Sequence, residues 1–99
     1  MIDKIVQISC HEWGLPVCEV LGKSRKMKLF FARVTIAKML RKHFKISLMD
    51  IGVVLNRHHA TIIYYLDTFD IECKYNKEFR EIANKIEEEY NKLNNYGVS

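Results

Sequence analysis

The sequence predicts an all-α domain of about six helices with a helix-turn-helix at its centre. Apolar residues recur every three or four positions along most of the chain, a spacing that places them on one face of a helix. Two short apolar runs flank a turn at Asn56-Arg57, and no segment has convincing strand character. Because the chain has 99 residues, 48% of them hydrophobic, we expect one domain over residues 1–99.

The chain before residue 46 predicts three helices. Gly14 can end the first helix, whose buried stripe is expected to be Ile2, Ile5, Val6, Ser9, Cys10 and Trp13. A short second helix begins after Pro16 and stops at Gly22, and the basic loop KSRKMK follows it. The core face of a long third helix carries Phe30, Val34, Ala37, Leu40, Arg41 and Phe44. The basic residues assigned to its other faces are Arg33, Lys38, Lys42 and Lys45.

The two helices of the central motif follow. Ser47 and Asp50 resemble a capping box, in which the hydroxyl covers a free amide and the carboxylate complements the helix dipole. A fourth helix therefore begins at Leu48, and Asn56 can take the left-handed conformation of a tight turn. A fifth helix begins near His58. Its core stripe is predicted to be Ile62, Leu66 and Phe69, with Ala60, Tyr64 and Asp67 facing outward.

A connector over residues 70–76 and one last helix complete the predicted fold. The apolar positions of that helix keep a heptad for only two repeats, which favours packing onto the first helix over a dimer seam. These positions are Phe79, Ala83, Ile86, Tyr90 and Leu93. We therefore expect a monomer, with the acidic run Glu87–Glu89 facing solvent.

The charge distribution indicates a polyanionic partner. The net charge is only +4, but the segment from Gly22 to Met49 contains nine basic residues and no acidic residue. Eight of the twelve acidic residues lie from Asp67 onward. Such an asymmetry is typical of a protein with one face against nucleic acid, although a solvated surface is the alternative.

The start of the fifth helix is suited to reading duplex DNA. A major groove about 12 Å wide admits one helix, and a helix that enters end-on presents its first-turn side chains to base edges. Here that first turn reads Arg-His-His-Ala-Thr, from Arg57 to Thr61. Its free amides can also meet phosphate oxygens.

These residues resemble the C-terminal duplex-binding domain of the bacterial replication initiator DnaA. The family signature runs S-L-x-x-I-G and, a few residues later, R-D-H-S/T-T-V. The segment Ser47–Gly52 matches the first part, and Arg57, His59 and Thr61 match the second, with Ile62 in the place of valine. The resemblance extends over nearly the whole chain and implies domain IV of the initiator, with a TrpR-like helix-turn-helix.

The resemblance also implies a set of DNA contacts. Arg25 corresponds to a loop arginine that enters the minor groove, with Lys23 and Lys26 as neighbouring phosphate contacts. Lys42 corresponds to a contact on the third helix. Leu48 and Met49 correspond to a position that touches thymine methyl groups. Arg57 and Thr61 correspond to phosphate contacts. The residues that correspond to the base-reading cluster are His58, His59 and Ala60.

This chain departs from the family at three positions of the motif. An aspartate is replaced by His58, a serine or threonine by Ala60, and a glycine pair at the turn by Asn56 alone. A carboxylate accepts a hydrogen bond from a cytosine amino group, whereas an imidazole can donate to guanine N7 or O6. We therefore expect duplex binding with an altered target sequence.

Other functions are disfavoured by the sequence. No G-x-x-x-x-G-K-[ST] phosphate loop is present, so we expect neither nucleotide binding nor the initiator's ATPase activity. We expect instead a free-standing DNA-binding module. Zinc binding is disfavoured because the candidate ligands, His58-His59 with Cys10-His11 or Cys18, do not have the spacing of a zinc site. Cys10 and Cys18 are expected in the core. Cys10 beside His11 is a poor catalytic pair, because neighbours on a helix do not face each other. We expect no enzymatic activity, no metal and no cofactor.

The expected location is the cytoplasm, because no secretory signal and no membrane-length apolar run is visible. The expected role is replication initiation or its regulation. The alternative is an interaction module that keeps the helix-turn-helix scaffold but binds a protein of the replication or transcription machinery.

Overall fold

A computed structural model describes the backbone of residues 2–98 and the side chains of residues 2–93. Six helices account for the described chain, in the order α1 (Ile2–Trp13), α2 (Val17–Val20), α3 (Met27–Phe44), α4 (Leu48–Leu55), α5 (His59–Tyr75) and α6 (Lys77–Val98). No strand is present between residues 2 and 98. The predicted all-α class and the central helix-turn-helix, α4–α5, are confirmed.

The predicted caps set the limits of the helices around the motif. The Oγ atom of Ser47 accepts a hydrogen bond of 3.1 Å from the backbone N–H of Asp50, as expected for the start of α4. Asn56 ends α4 in the left-handed conformation with φ 56°. Gly14 ends α1 in the same region with φ 70°. These three local predictions are confirmed.

Helix α3 is the centre of the core, and α1, α4, α5 and α6 pack around it. Its apolar side chains from Ala32 to Leu40 are almost all buried because helices cover it on several sides. Trp13 of α1 is buried against Phe31 and Phe79, and its Nε1–H donates to Thr35 Oγ1 at 3.3 Å. Trp13 is therefore a core residue rather than a stacking platform, as predicted.

Helix α6 packs within the chain. Phe79, Ala83, Ile86 and Tyr90 are buried, which confirms the predicted intramolecular packing, whereas Leu93 remains 43% exposed. Glu87 does not simply face solvent. It pairs with both Lys42 and His43 of α3 at 2.8 Å.

Three further predictions are wrong. The connector predicted over residues 70–76 is a single residue, because Asn76 both ends α5 and caps α6 by accepting from the Phe79 N–H at 3.0 Å. Cys18 is exposed, since the short α2 buries only Val20. Arg33, assigned to a solvent face of α3, is 2% exposed.

Over residues 2–98, none of the helices has the length and apolar character needed to span a bilayer.

Candidate nucleic-acid interface

The N-terminal end of α5 is exposed and ordered by its own side chain. His58 is the N-cap residue, and its Nδ1 atom accepts a hydrogen bond of 3.1 Å from the backbone N–H of Ala60. An Nδ1 that accepts carries no proton, so in this arrangement the ring proton is on Nε2, which can donate a hydrogen bond. The rings of His58 and His59 lie side by side with centroids 4.3 Å apart. His58, His59 and Ala60 are all exposed, so this end of the helix is free to meet a ligand.

Gly52 determines how closely α5 approaches α4. The backbone N–H of Arg57 donates to the carbonyl oxygen of Gly52 at 2.8 Å, so the chain that leaves the turn lies directly against the helix. A Cβ atom at position 52 would overlap the Arg57 carbonyl oxygen. Only glycine allows this approach of two backbones, and the angle between the two helices depends on it.

The guanidinium of Arg57 is held by backbone carbonyl groups. Nη1 donates to the carbonyl oxygens of Leu55 and Asn56 at 3.2 and 2.9 Å, and Nη2 donates to that of Gly22 at 2.6 Å. Arg57 therefore ties the turn of the motif to the residue that immediately precedes the basic loop.

Arg33 holds the same loop from the side of α3. Its Nε atom donates to the Val20 carbonyl oxygen at 2.6 Å and its Nη1 atom to that of Ser24 at 2.6 Å. Its Nη2 atom donates to Glu19 at 3.2 Å and to Gly22 at 3.1 Å. Burial lowers the pKa of Arg33, and the charge of Arg57 lowers it further, while Tyr65 has the opposite effect. The guanidinium remains the natural partner of these oxygens because arginine keeps its charge in proteins.

A cationic groove of about 720 Å³ lies between the basic loop and α5. Four of the predicted DNA contacts line it, together with the side of Tyr64, which is exposed while Tyr65 is buried. These four contacts are Lys23, Arg25, Arg57 and Thr61. The groove combines positive charge with aromatic surface, a combination typical of sites that bind nucleic acid.

A second, shallower hollow of about 590 Å³ lies on the other side of Arg57. It is lined by two sets of residues that face each other across the turn: Met49, Gly52 and Val53 of α4, and Asn56, Arg57, His58 and His59. Met49 is 68% and Val53 79% exposed. The motif thus presents an apolar patch beside the imidazole rings, as a surface that meets thymine methyl groups requires.

Four predicted contacts line neither of these two hollows: Lys26, Lys42, Leu48 and the exposed Ala60. Lys42 pairs with Glu87 of α6 at 2.8 Å. Burial raises the pKa of Glu87, but hydrogen bonds from Lys42 and His43, with their charges, leave it below its ordinary value. Leu48 is half-buried and packs against the core, and Lys26 is exposed at the N-cap position of α3.

The structural role of Arg33 is not among the predictions made from the sequence. The signal was present, because residues 30, 33, 37 and 40 share one face of a helix and Arg33 therefore lies within the apolar stripe of α3. A charged residue in such a stripe indicates buried carbonyl acceptors as partners.

The alternatives based on cysteine and histidine gain no support. Burial raises the pKa of Cys10 to about 11, so its thiol is protonated at neutral pH and is a poor nucleophile. Among the described residues, no three His, Cys, Asp or Glu side chains are grouped so that they could hold a metal ion.

Comparison with known proteins gives one consistent relationship. The family described as "Bacterial dnaA protein helix-turn-helix" matches residues 2–68. The chain is similar to the chromosomal replication initiator protein DnaA of Oleidesulfovibrio alaskensis, with 34% identity over 88 residues that cover 86% of this chain and 19% of the relative. It is also similar to that of Bacteroides fragilis, with 30% identity over 87 residues that cover 87% of this chain and 18% of the relative.

The chain thus spans about a fifth of the length of the initiator proteins it matches. The matched residues include all of α1 to α4 and the exposed start of α5, where the two hollows lie. By its sequence and by its fold, the chain belongs to the bacterial DnaA helix-turn-helix family.

Proposed function

We propose that this chain binds duplex DNA sequence-specifically, with the start of α5 in the major groove and the basic loop in the adjacent minor groove. The bases are read by His58, His59 and Ala60, with Leu48 and Met49 against thymine methyl groups. The backbone is contacted by Lys23, Lys26, Lys42, Arg57 and Thr61, and Arg25 enters the minor groove. The activity is binding rather than catalysis, and the role is replication initiation or its regulation at initiator-like sites.

One observation supports this proposal above all others. Lys23 and Arg25 of the loop line the same groove as Thr61 in the first turn of α5, although they are more than thirty residues apart in sequence. A surface that places loop cations beside an exposed helix end can engage two neighbouring grooves of one duplex. The name of the relatives, chromosomal replication initiator protein, agrees with this use.

Lys42 has a competing partner. Its ammonium group is paired with Glu87, so a phosphate contact requires that this half-exposed ion pair open or be shared. Exposed pairs of this kind contribute only about 0.2–1 kcal/mol, so phosphate can compete for the lysine.

Arg25→Ala is expected to weaken binding to every duplex and to reduce its dependence on salt. A cation in the minor groove neutralises neighbouring phosphate charge, and each neutralised phosphate contributes about 0.9 to the slope of log K against log of the salt concentration. The slope should therefore fall by about one on loss of the arginine. Fluorescence anisotropy of a labelled duplex at several salt concentrations measures both quantities.

Lys85→Ala is the matched control for this measurement. Lys85 is an exposed lysine of α6, outside both hollows, and its loss removes the same unit of charge. Equal slopes for the two variants would contradict the proposed loop contact. Wild-type protein without duplex affinity at ~50 mM salt would contradict the proposed function itself and favour the protein-interaction alternative.

His58→Asp is expected to change base preference at a single position of the target. Both residues can cap α5, but the exposed imidazole donates a hydrogen bond and the carboxylate accepts one. The preferred base should change from one with an acceptor edge, such as guanine, to one with an amino group, such as cytosine. At that position we expect each protein to bind its preferred base more tightly than the other base by about 1–3 kcal/mol.

Selection of bound sequences from a random duplex pool, with wild type and variant in parallel, measures this change. His58→Asn is the control, because asparagine also caps helices but both donates and accepts, so its preference should be relaxed. Identical selected sequences for wild type and His58→Asp would show that position 58 does not read a base.

A further inference from the structure

Arg57 uses most of its hydrogen-bonding capacity within the protein. Both protons of Nη1 are directed at carbonyl oxygens, those of Leu55 and Asn56, and one proton of Nη2 is directed at Gly22. Only Nε–H and one Nη2–H remain of the five donors. Three hydrogen bonds of this guanidinium are thus made within the protein, which indicates a task for Arg57 in the fold besides any contact with phosphate.

Arg57 performs this task through its hydrogen bond to the carbonyl group of Gly22. This carbonyl group accepts from Arg57 at 2.6 Å and from Arg33 at 3.1 Å. Arg33 also binds the Ser24 carbonyl oxygen at 2.6 Å, so the chain is held at Gly22, just before the basic loop, and at Ser24 within it. No carboxylate is bonded to either guanidinium in the part of the chain that the structure describes.

The two arginines differ in what they connect. Arg33 joins the loop to α3, which is the rigid centre of the core. Arg57 lies in the turn between α4 and α5, and it lines both hollows. The conformation of the loop is thereby linked to the position of the helix end that reads bases.

We propose that Arg57 is a positioning residue that couples the major-groove reading end of α5 to the minor-groove contact of Arg25. Arg57 holds Gly22 at a fixed distance from the turn, and this places the Arg25 side chain when α5 is seated. The proposal rests on the proposed duplex binding. It gives Arg57 a role beyond the phosphate contact implied by family resemblance.

A double-mutant cycle with Arg57→Gln and Arg25→Ala tests the coupling, using the duplex that the wild type selects. Arg57→Gln should weaken binding roughly tenfold in the wild-type background, within the range of interaction energies for coupled residues. In the Arg25→Ala background its effect should shrink to about threefold or less. In the Lys85→Ala background, the control, the loss should equal that of the wild type.

The salt dependence provides a second readout that separates positioning from phosphate binding. In the Arg25→Ala background, further change of Arg57 to Gln should lower the slope less than it does in the wild-type background, because the contribution of Arg25 is already lost and only the phosphate contact of Arg57 itself remains. If the loss of affinity and the fall in slope are the same in both backgrounds, Arg57 is only a direct phosphate contact and the proposal is overturned.

Arg57→Lys keeps the charge and serves where Arg57→Gln is poorly folded. Lysine cannot bridge Gly22 to two carbonyl groups of the turn, so it should restore little of the lost affinity if Arg57 is a positioning residue. Full rescue by lysine would overturn the proposal. Failure of the wild type to bind any duplex would instead overturn the proposed function.

Discussion

Alanine in place of Gly52 should lower the free energy of unfolding by about 2–3 kcal/mol, the upper part of the range for an overpacked site. Alanine normally favours a helix by about 1 kcal/mol over glycine, so the propensity effect has the opposite sign. The steric effect dominates because the new Cβ would overlap the Arg57 carbonyl oxygen, which is backbone and cannot move alone. Relief requires α5 to move away from α4, so sequence-specific binding should also be lost.

Urea denaturation followed by circular dichroism measures the change in stability. Val53→Ala is the matched control, since Val53 is the next residue of α4 and is 79% exposed. Its effect on stability should stay within about 0.5 kcal/mol. Gly52→Ala with wild-type stability would show that the two backbones are not in the close contact described here.

Methionine in place of Arg33 should lower the free energy of unfolding by about 3 kcal/mol or more. The carbonyl oxygen of Val20, a buried residue, would lose this donor, and a buried acceptor without a partner costs about 1–3 kcal/mol. The carbonyl oxygens of Glu19, Gly22 and Ser24 would lose it as well, although Glu19 keeps the Gly22 N–H and Gly22 keeps Arg57 as donors. Water can reach part of the loop, so the individual costs do not add in full. Arg33→Lys should be intermediate, because one ammonium group cannot span the four acceptors.

Thermal unfolding is a sensitive measurement for this variant. In a domain of this size about 1 kcal/mol corresponds to a change in Tm of roughly 4–8 °C, so Arg33→Met should unfold at least about 12 °C below the wild type. Lys28→Met, which changes an exposed lysine at the start of the same helix, is the control. Equal Tm values for Arg33→Met and Lys28→Met would contradict the assigned role.

The reading end of the motif could be predicted from the sequence because its determinants are local. The caps at Ser47 and His58, and the left-handed turn at Asn56, involve residues only a few positions apart. The chemistry of an N-cap and a left-handed residue does not depend on the rest of the fold. Both ends of the predicted fourth helix and the start of the fifth therefore agree with the structure, whereas the fifth helix continues to Tyr75, beyond its predicted end.

The attachment of the loop could not be predicted in the same way. Arg33 and Arg57 bind carbonyl oxygens up to 35 residues away, and a backbone oxygen leaves no mark in the amino-acid sequence. The nine basic residues between Gly22 and Met49 predict one cationic face. In the structure, Arg33 is instead buried and structural, and Lys42 is paired with Glu87. Counting charges along a sequence cannot distinguish a cation on the cationic face from a structural or paired one, because only tertiary contacts show the difference.

The loop is fixed through main-chain oxygen atoms, which every amino acid supplies. The side chains of Lys23, Arg25 and Lys26 make none of the described bonds that fix its shape, since over residues 22–28 Arg33 and Arg57 bind only the carbonyl groups of Gly22 and Ser24. New residues can therefore be introduced at these three positions at little cost in folding. Under the proposed function, the same scaffold can then be redirected to other nucleotide steps by redesigning the loop alone.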